Sequence, residues 1–180
     1  MTDLTIETPH LVMRRWRNSD CEPFAALCAD AEVMRHFPTR LLRDESDGLI
    51  ARIEAHFDAR GFGLWALERR SDGRFLGFTG LLTVEFDSPI QGEVEIGWRM
   101  AREHWGQGYA KEAAGAALNF GFDRLGLNRI VSMTVKANTR SWGLMERLGM
   151  KRAPELDFDH PRLPKGHPLR PHIVYAKGAQ

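Results

Sequence analysis

A chain of 180 residues, 43% hydrophobic and 27% charged, is long enough to bury a core and has the usage of a folded domain, which excludes a disordered chain. Its 25 Lys and Arg against 24 Asp and Glu leave a net charge of +1, without the basic excess of a duplex-binding surface, so no nucleic-acid partner is expected. Cys21 and Cys28 stand seven apart in a helical stretch, roughly 10 Å along its axis and beyond disulfide reach, and read as small core residues in a reducing compartment. Met1-Thr2-Asp3-Leu4 has no leader character and no run reaches membrane-spanning length, so a cytoplasmic protein without a membrane partner is expected.

In chain order, residues 11–16 read as a first strand. Ser19-Asp20-Cys21-Glu22 has capping-box spacing, with Phe24, Leu27, Cys28 and Ala31 following as a helical stripe. After a turn at Pro38, a second helix places Leu49, Ile50, Ile53 and Phe57 on one face and ends at Gly61. Strands over 63–68 and 75–82 flank Ser71-Asp72-Gly73, a hairpin turn. A further strand covers 93–100. The helix over 108–125 has the cleanest period in the chain, with Ala110, Ala113, Ala114, Ala117, Leu118, Gly121, Phe122 and Leu125 in register; its small residues let it approach a sheet closely. Residues 129–135 form a strand, and Asn138 N-caps a short helix that ends at Gly149. Strands over 150–158 and 172–176, around a proline-rich loop, complete a mixed α/β domain built on one sheet.

The most informative stretch is Trp105-Gly106-Gln107-Gly108-Tyr109-Ala110-Lys111, where a glycine turn follows a strand and opens a helix. Such a turn presents bare N–H groups at the positive end of a helix dipole, a place for a pyrophosphate, and fits a ligand-free connection equally well. A dinucleotide fingerprint would need a third glycine where Lys111 stands and an acid near Asn128; a nucleotide-triphosphatase loop would need Gly-Lys-Ser/Thr. Neither is present.

Residues 105–110 resemble instead the acyl-CoA signature of the GNAT superfamily of N-acetyltransferases, Arg/Gln-x-x-Gly-x-Gly/Ala, with Trp105 in the first place. Glu95-Ile96-Gly97-Trp98 resembles the family's fourth strand, and Asn138-x-x-Ser141-x-x-Leu144-x-x-x-Leu148-Gly149-Met150 its second motif, about 30 residues on. The likeness covers nearly the whole chain and is nearest to the ribosomal-protein alanine/serine N-acetyltransferase branch, where Trp before the turn is usual. It implies one acyl-CoA N-acyltransferase domain over residues 1–180. The implied α/β GNAT fold has a mixed, mostly antiparallel sheet of six to seven strands and about four helices. Its fourth strand bulges and splays from the fifth to leave backbone groups for the pantetheine arm.

The same resemblance implies roles. Gly106, Gln107, Gly108, Tyr109, Ala110 and Lys111 would bind the pyrophosphate of acetyl-CoA, Trp98 and Met100 its pantetheine through their backbones, and the Asn138 side chain a pantetheine amide. The Trp98 and Met100 side chains read as core, and Lys111 also reads as a solvated surface lysine. Acyl transfer in this family is direct, so an amine must lose a proton and a thiolate must leave. Glu95 is the candidate base, read equally as an ordinary strand glutamate, with Glu93 behind it. The family's tyrosine acid, seven residues after the motif asparagine, falls on Met145, which cannot donate; Ser141, one turn earlier, is the substitute. Asp157, Asp159 and His160, in the loop before the last strand, are candidates for holding the acceptor, or simply pack the surface. The seven histidines show no metal-ligand spacing, so no metal is expected.

An α-amine with a pKa of 7.7–8.0 is neutral at pH 7 roughly 250–500 times more often than a lysine near 10.4, worth about 3.5 kcal/mol. A site without the tyrosine acid therefore suits a protein or peptide N-terminus, or a small-molecule amine such as an amino acid, polyamine or antibiotic-like compound. An alternative of another class is a catalytically silent acetyl-CoA sensor. Either would serve as a monomer or homodimer.

Overall fold

The computed structural model describes residues 4–179; Met1, Thr2 and Asp3, part of the stretch without leader character, lie outside them. One sheet runs in the order β1-β2-β3-β4-β5-β6-β9-β7, with β8 pairing β9 beside that path. Six strands are four residues or longer: β2 (Leu11–Arg14), β3 (Leu64–Arg69), β4 (Phe75–Thr83), β5 (Val94–Met100), β6 (Arg129–Val135) and β9 (Pro171–Gly178). β1 (Ile6–Glu7), β7 (Lys151–Arg152) and β8 (Phe158–Asp159) are two-residue additions. Every pairing is antiparallel except β5 with β6. Four α-helices, α1 (Cys21–Ala29), α2 (Arg43–Arg60), α3 (Tyr109–Asn119) and α4 (Thr139–Arg147), complete the expected architecture.

Local chemistry departs from the sequence expectation in four places. Ser19 and Glu22 form no capping box, because the helical turn begins earlier, at Asn18; the Asp20 carboxylate accepts from the Arg17 amide at 2.8 Å and holds the buried Arg14 guanidinium through two bonds of 2.7 and 2.9 Å. Charge pairing inside the core outweighs a surface cap there. The long amphipathic helix ends as an α-helix at Asn119 and continues as one wide turn over Phe120–Arg124, where the Leu125 amide reaches back to the Phe120 carbonyl. Gly121 sits in that turn, and a Cβ there would lie 2.6 Å from the Ile130 side chain, so the widening presses the chain onto the sheet. The stretch 150–158 is no continuous strand, because Pro154 starts a helical turn over Pro154–Leu156 and leaves only β7 and β8 paired. Finally, no bulge interrupts β5: its register with β4 runs unbroken from Gly77↔Met100 to Thr83↔Val94. The distortion sits on the partner strand, where Gly77 and Gly80 take φ of 139° and 154°.

The splay itself is present. β5 and β6 run parallel and share one pairing, Glu95↔Val131. Below it the Ser132 hydroxyl donates to the Ile96 carbonyl at 2.9 Å, and beyond it the strands carry no ladder. α3 buries Ala113, Ala114, Ala117 and Leu118 against the sheet. On the opposite side α1 contributes Phe24, whose ring meets Trp16 at 4.8 Å and Phe78 at 5.9 Å. The wedge between β5 and β6 thus opens at the middle of the sheet, against the start of α3.

Candidate active site

The glycine turn sits at one end of that wedge. Gly106 and Gly108 hold φ of 74° and 87°, a left-handed conformation that a side chain resists, and Gly108 occupies the N-cap position of α3. A Cβ on either would meet nothing within 4 Å. Glycine here serves backbone shape and open approach rather than packing. The amides of residues 106–111 donate to no protein acceptor among the described residues; the first helical bond is the Glu112 amide to the Gly108 carbonyl, 3.0 Å. Consecutive free donors at the positive end of a helix form an anion cradle. Gln107 is held by its side-chain amide on the Glu103 carbonyl at 2.8 Å, and Lys111 is exposed. Tyr109 and Ala110 are half-buried in the first turn of α3.

The turn is anchored from both sides. The Trp105 indole N–H donates to the Met100 carbonyl at 2.9 Å, fastening the turn to the end of β5. The Arg140 guanidinium, from the first turn of α4, lies 4.6 Å from the Trp105 ring centroid. A cation is disfavoured at a helix N-terminus, and here the indole face compensates. Arg140 was not singled out from the sequence; an arginine against the dipole of its own helix is the signal that could have marked it. It brings positive charge to the place where the family pattern has a basic or amide residue and this chain has tryptophan.

Backbone alternation fixes what β5 offers to the wedge. The Ile96 carbonyl points at β6, since Ser132 donates to it, so the backbone groups of Trp98 and Met100 point the same way. Trp105 takes the Met100 carbonyl, while Trp98 lies past the single β5–β6 pairing with its N–H and C=O directed into the wedge. The Met100 side chain is buried, and that of Trp98 packs against the core.

Glu95 stands at the pairing point. It keeps part of its surface open while protein crowds it on the other sides, as a group in the floor of a cleft does. Its carboxylate has no hydrogen-bond or ion-pair partner among the described residues, and burial pushes its pKa up to about 7. Glu93 is committed elsewhere, paired with Arg129. Asn138 occupies the N-cap position of α4, but its side chain caps nothing: Nδ2 donates to Thr134 Oγ1 at 3.1 Å, leaving its carbonyl oxygen unclaimed. Ser141 is half-buried and its hydroxyl has no protein partner among the described residues, while Met145 is buried in the core. Of the two tyrosines, Tyr175 donates to Glu146 at 3.2 Å and Tyr109 lies by Arg69, so neither replaces the missing acid.

The loop candidates have internal partners. Asp157 pairs with Arg152 and accepts from the Val174 amide at 3.0 Å; Asp159 holds Arg170 at 3.1 Å. His160 packs among rings, 4.7 Å from Phe86 and 5.1 Å from His172, and burial lowers the pKa of both histidines. Among the described residues no group of three His, Cys, Asp or Glu could hold a metal. No helix among them is long and apolar enough to cross a membrane.

This geometry meets a known family when the chain is compared with other proteins. A family model described as "Acetyltransferase (GNAT) domain" matches residues 10–151. The chain belongs to the GNAT acetyltransferase family. Bacillus subtilis YkkB is 30% identical over 127 residues, covering 71% of this chain and 73% of that protein. The N-acetyltransferase YoaA of the same organism is 26% identical over 151 residues, covering 82% of each. Among solved structures, an acetyltransferase from Agrobacterium tumefaciens has a TM-score of 0.80 at 24% identity, covering 98% of this chain and 95% of that one. A RimL ribosomal L7/L12 α-N-protein acetyltransferase in complex with coenzyme A has a TM-score of 0.77 at 15% identity, covering 97% and 98%. At those identities the structures share the fold. The family makes this chain an acetyl-CoA-dependent N-acetyltransferase, with acetyl-CoA as its co-substrate.

Proposed function

We propose that residues 1–180 work as one acyltransferase domain that moves acetyl from acetyl-CoA directly to a low-pKa primary amine, foremost the α-amine of a protein or peptide N-terminus. The observation that carries this reading is Glu95: an unpaired carboxylate with a pKa near 7, at the one pairing between two strands that otherwise diverge. The amides of 106–111 hold the pyrophosphate, with Arg140 and Lys111 adding positive charge. The backbone of β5 at Trp98 and Met100, together with the free oxygen of Asn138, takes the pantetheine arm. That directs the thioester toward Glu95.

The amine nitrogen attacks the thioester carbonyl, Glu95 takes the departing N–H proton directly or through water, and the C–S bond breaks. A base near pKa 7 falls short of an α-ammonium by about one unit and of a lysine by more than three. Proton removal from the α-amine is therefore nearly balanced, and from lysine steeply uphill. A thiolate with an ordinary thiol pKa near 8.5 leaves as an anion, so Ser141 or solvent suffices to protonate it. Asp157, Asp159 and His160, held by their own partners, contribute shape to the acceptor side rather than free charge.

The test is a panel of N-terminal peptides, lysine peptides and small amines with acetyl-CoA, read by thiol release and by mass of the product. Acetylation confined to α-amines supports the reading; faster acetylation of lysine side chains overturns it. Tight acetyl-CoA binding with no turnover on any amine would identify a sensor instead.

A further inference from the structure

Two arginines of this fold are crowded by protein, Arg14 buried and Arg99 half-buried, and they are treated differently. Arg14 holds Asp20 through two nitrogens and Glu68 through a third, at 2.7–2.9 Å. Arg99 has no carboxylate partner among the described residues. Its Nη1 donates to the Cys28 thiol at 3.2 Å, its guanidinium carbon lies 4.2 Å from the Phe37 ring and 5.4 Å from Phe78, and its buried Nε has no partner. Burial pushes the Cys28 thiol up, so the sulfur stays neutral and supplies no counter-charge. Loss of hydration lowers the Arg99 pKa, while the group remains a cation at neutral pH. A half-buried cation with a buried, unpartnered Nε and no anion is costly, and the ring faces compensate only in part.

The place of Arg99 says where the anion comes from. Side chains alternate along β5, so Glu95, Gly97 and Arg99 share one face, away from Ile96 and Met100. Between the two charged residues a Cβ on Gly97 would meet nothing within 4 Å, so the floor joining them is open. Phe37, the ring over Arg99, is 37% exposed and forms the outer rim. We propose that Arg99 is the anion-binding residue of the acceptor site, selecting amines that carry a carboxylate some distance from the reacting nitrogen. Four residues of strand separate the Cα atoms of Glu95 and Arg99 by about 13 Å. The α-carboxylate of the same amino acid is too close to its amine to reach both. The two side chains close part of that distance, and an acidic side chain in the first residues of a peptide, several bonds from the α-amine, spans the rest.

This inference rests on the transferase reading, and two readouts separate the fates of the two. The first compares twins that differ only in charge, Ala-Glu-Ala amide against Ala-Gln-Ala amide. We expect kcat/KM higher by about tenfold or more for the acid, mainly through KM. In Arg99→Gln that preference should collapse to within about twofold, with Arg99→Lys retaining part of it. Equal rates for the two peptides in the native enzyme overturn the inference and leave the transferase intact. The second readout needs no turnover: calorimetry of N-acetyl-Ala-Glu-Ala amide against N-acetyl-Ala-Gln-Ala amide on the CoA-loaded protein. Tighter binding of the acid by about tenfold in the native protein, lost in Arg99→Gln, supports the site even if no amine is acetylated; equal binding of the two overturns it. A purely structural arginine would lower the melting temperature when replaced, whereas removal of a half-buried cation without a carboxylate should leave it unchanged or raise it.

Discussion

The proposed donor and acceptor sides of this site are built from different materials. Toward the cofactor the chain offers backbone: amides at 106–111, the peptide groups of β5 beside the splay, and the N-terminal ends of α3 and α4. Toward the amine it offers side chains, Glu95 and Arg99 on one face of β5 with the ring of Phe37 above. Backbone recognition depends on shape and tolerates substitution of whatever does not fill the path. Side-chain recognition depends on individual residues and changes with each. One scaffold can therefore keep its donor while its acceptor drifts.

The sharpest way to break the donor side is to fill it. Gly108→Glu places a carboxylate at the phosphate position and a side chain at φ 87°, so binding of CoA should fall by about a thousandfold or beyond detection in calorimetry. An unchanged affinity would remove the cradle assignment.

Next in size is Glu95→Gln, an acceptor-side change. Loss of a general base should lower kcat by about a hundredfold and flatten the rise of rate with pH that centres near 7 in the native enzyme, with CoA affinity unaffected. The same variant makes a stability prediction. Glu95 ionises near 4.5 unfolded and near 7 folded, so below pH 4.5 its carboxyl is neutral in both states and costs nothing. Between those values the folded state holds the extra proton and stability declines as pH rises; above 7 the full cost is present. Glu95→Gln should therefore melt higher than the native protein at pH 8, by an amount of order 2 kcal/mol or less given its partial exposure, and equally at pH 4. Coincident melting curves at pH 8 would place Glu95 in ordinary solvent.

Smaller effects distinguish the two helical contributions. Asn138→Ala should raise the KM for acetyl-CoA several-fold with little change in kcat, since one hydrogen bond to the arm is lost and no capping bond goes with it. Ser141→Ala should slow turnover by no more than about threefold, because solvent can protonate a thiolate. A hundredfold loss there would make Ser141 an obligate acid.

The division between backbone and side chain also explains what could be read in advance. Donor features are local: a glycine turn, a helix start and the Asn138 segment are each set by neighbours in the chain, and their order sufficed. The strands 63–68 and 75–82, with the hairpin turn between them, and the strand 129–135 were legible from alternation and turn residues. Acceptor features arise from contacts across the chain. Ser19-Asp20-Cys21-Glu22 looked like a cap, because only the fold brings the Arg14 guanidinium against Asp20. Arg99 looked like one polar residue of a strand, because only the fold places Cys28 and Phe37 around it. Pro154 was visible, yet which of its neighbours would pair with β9 depended on tertiary packing. Arg140 lay one residue before the motif serine, unmarked until the Trp105 ring arrived beneath it.

The single β5–β6 pairing has a mechanical corollary. It makes the sheet two half-sheets riveted at Glu95↔Val131 and by the Ser132–Ile96 bond. A cofactor arm that bonds along β5 stands in for the missing rungs and stiffens the seam. Amide protons of β5 and β6 should then exchange more slowly in the presence of CoA than those of β2 and β3, and the protein should melt higher with ligand concentration. The donor would act as a removable strand, with the proposed base mounted on the rivet.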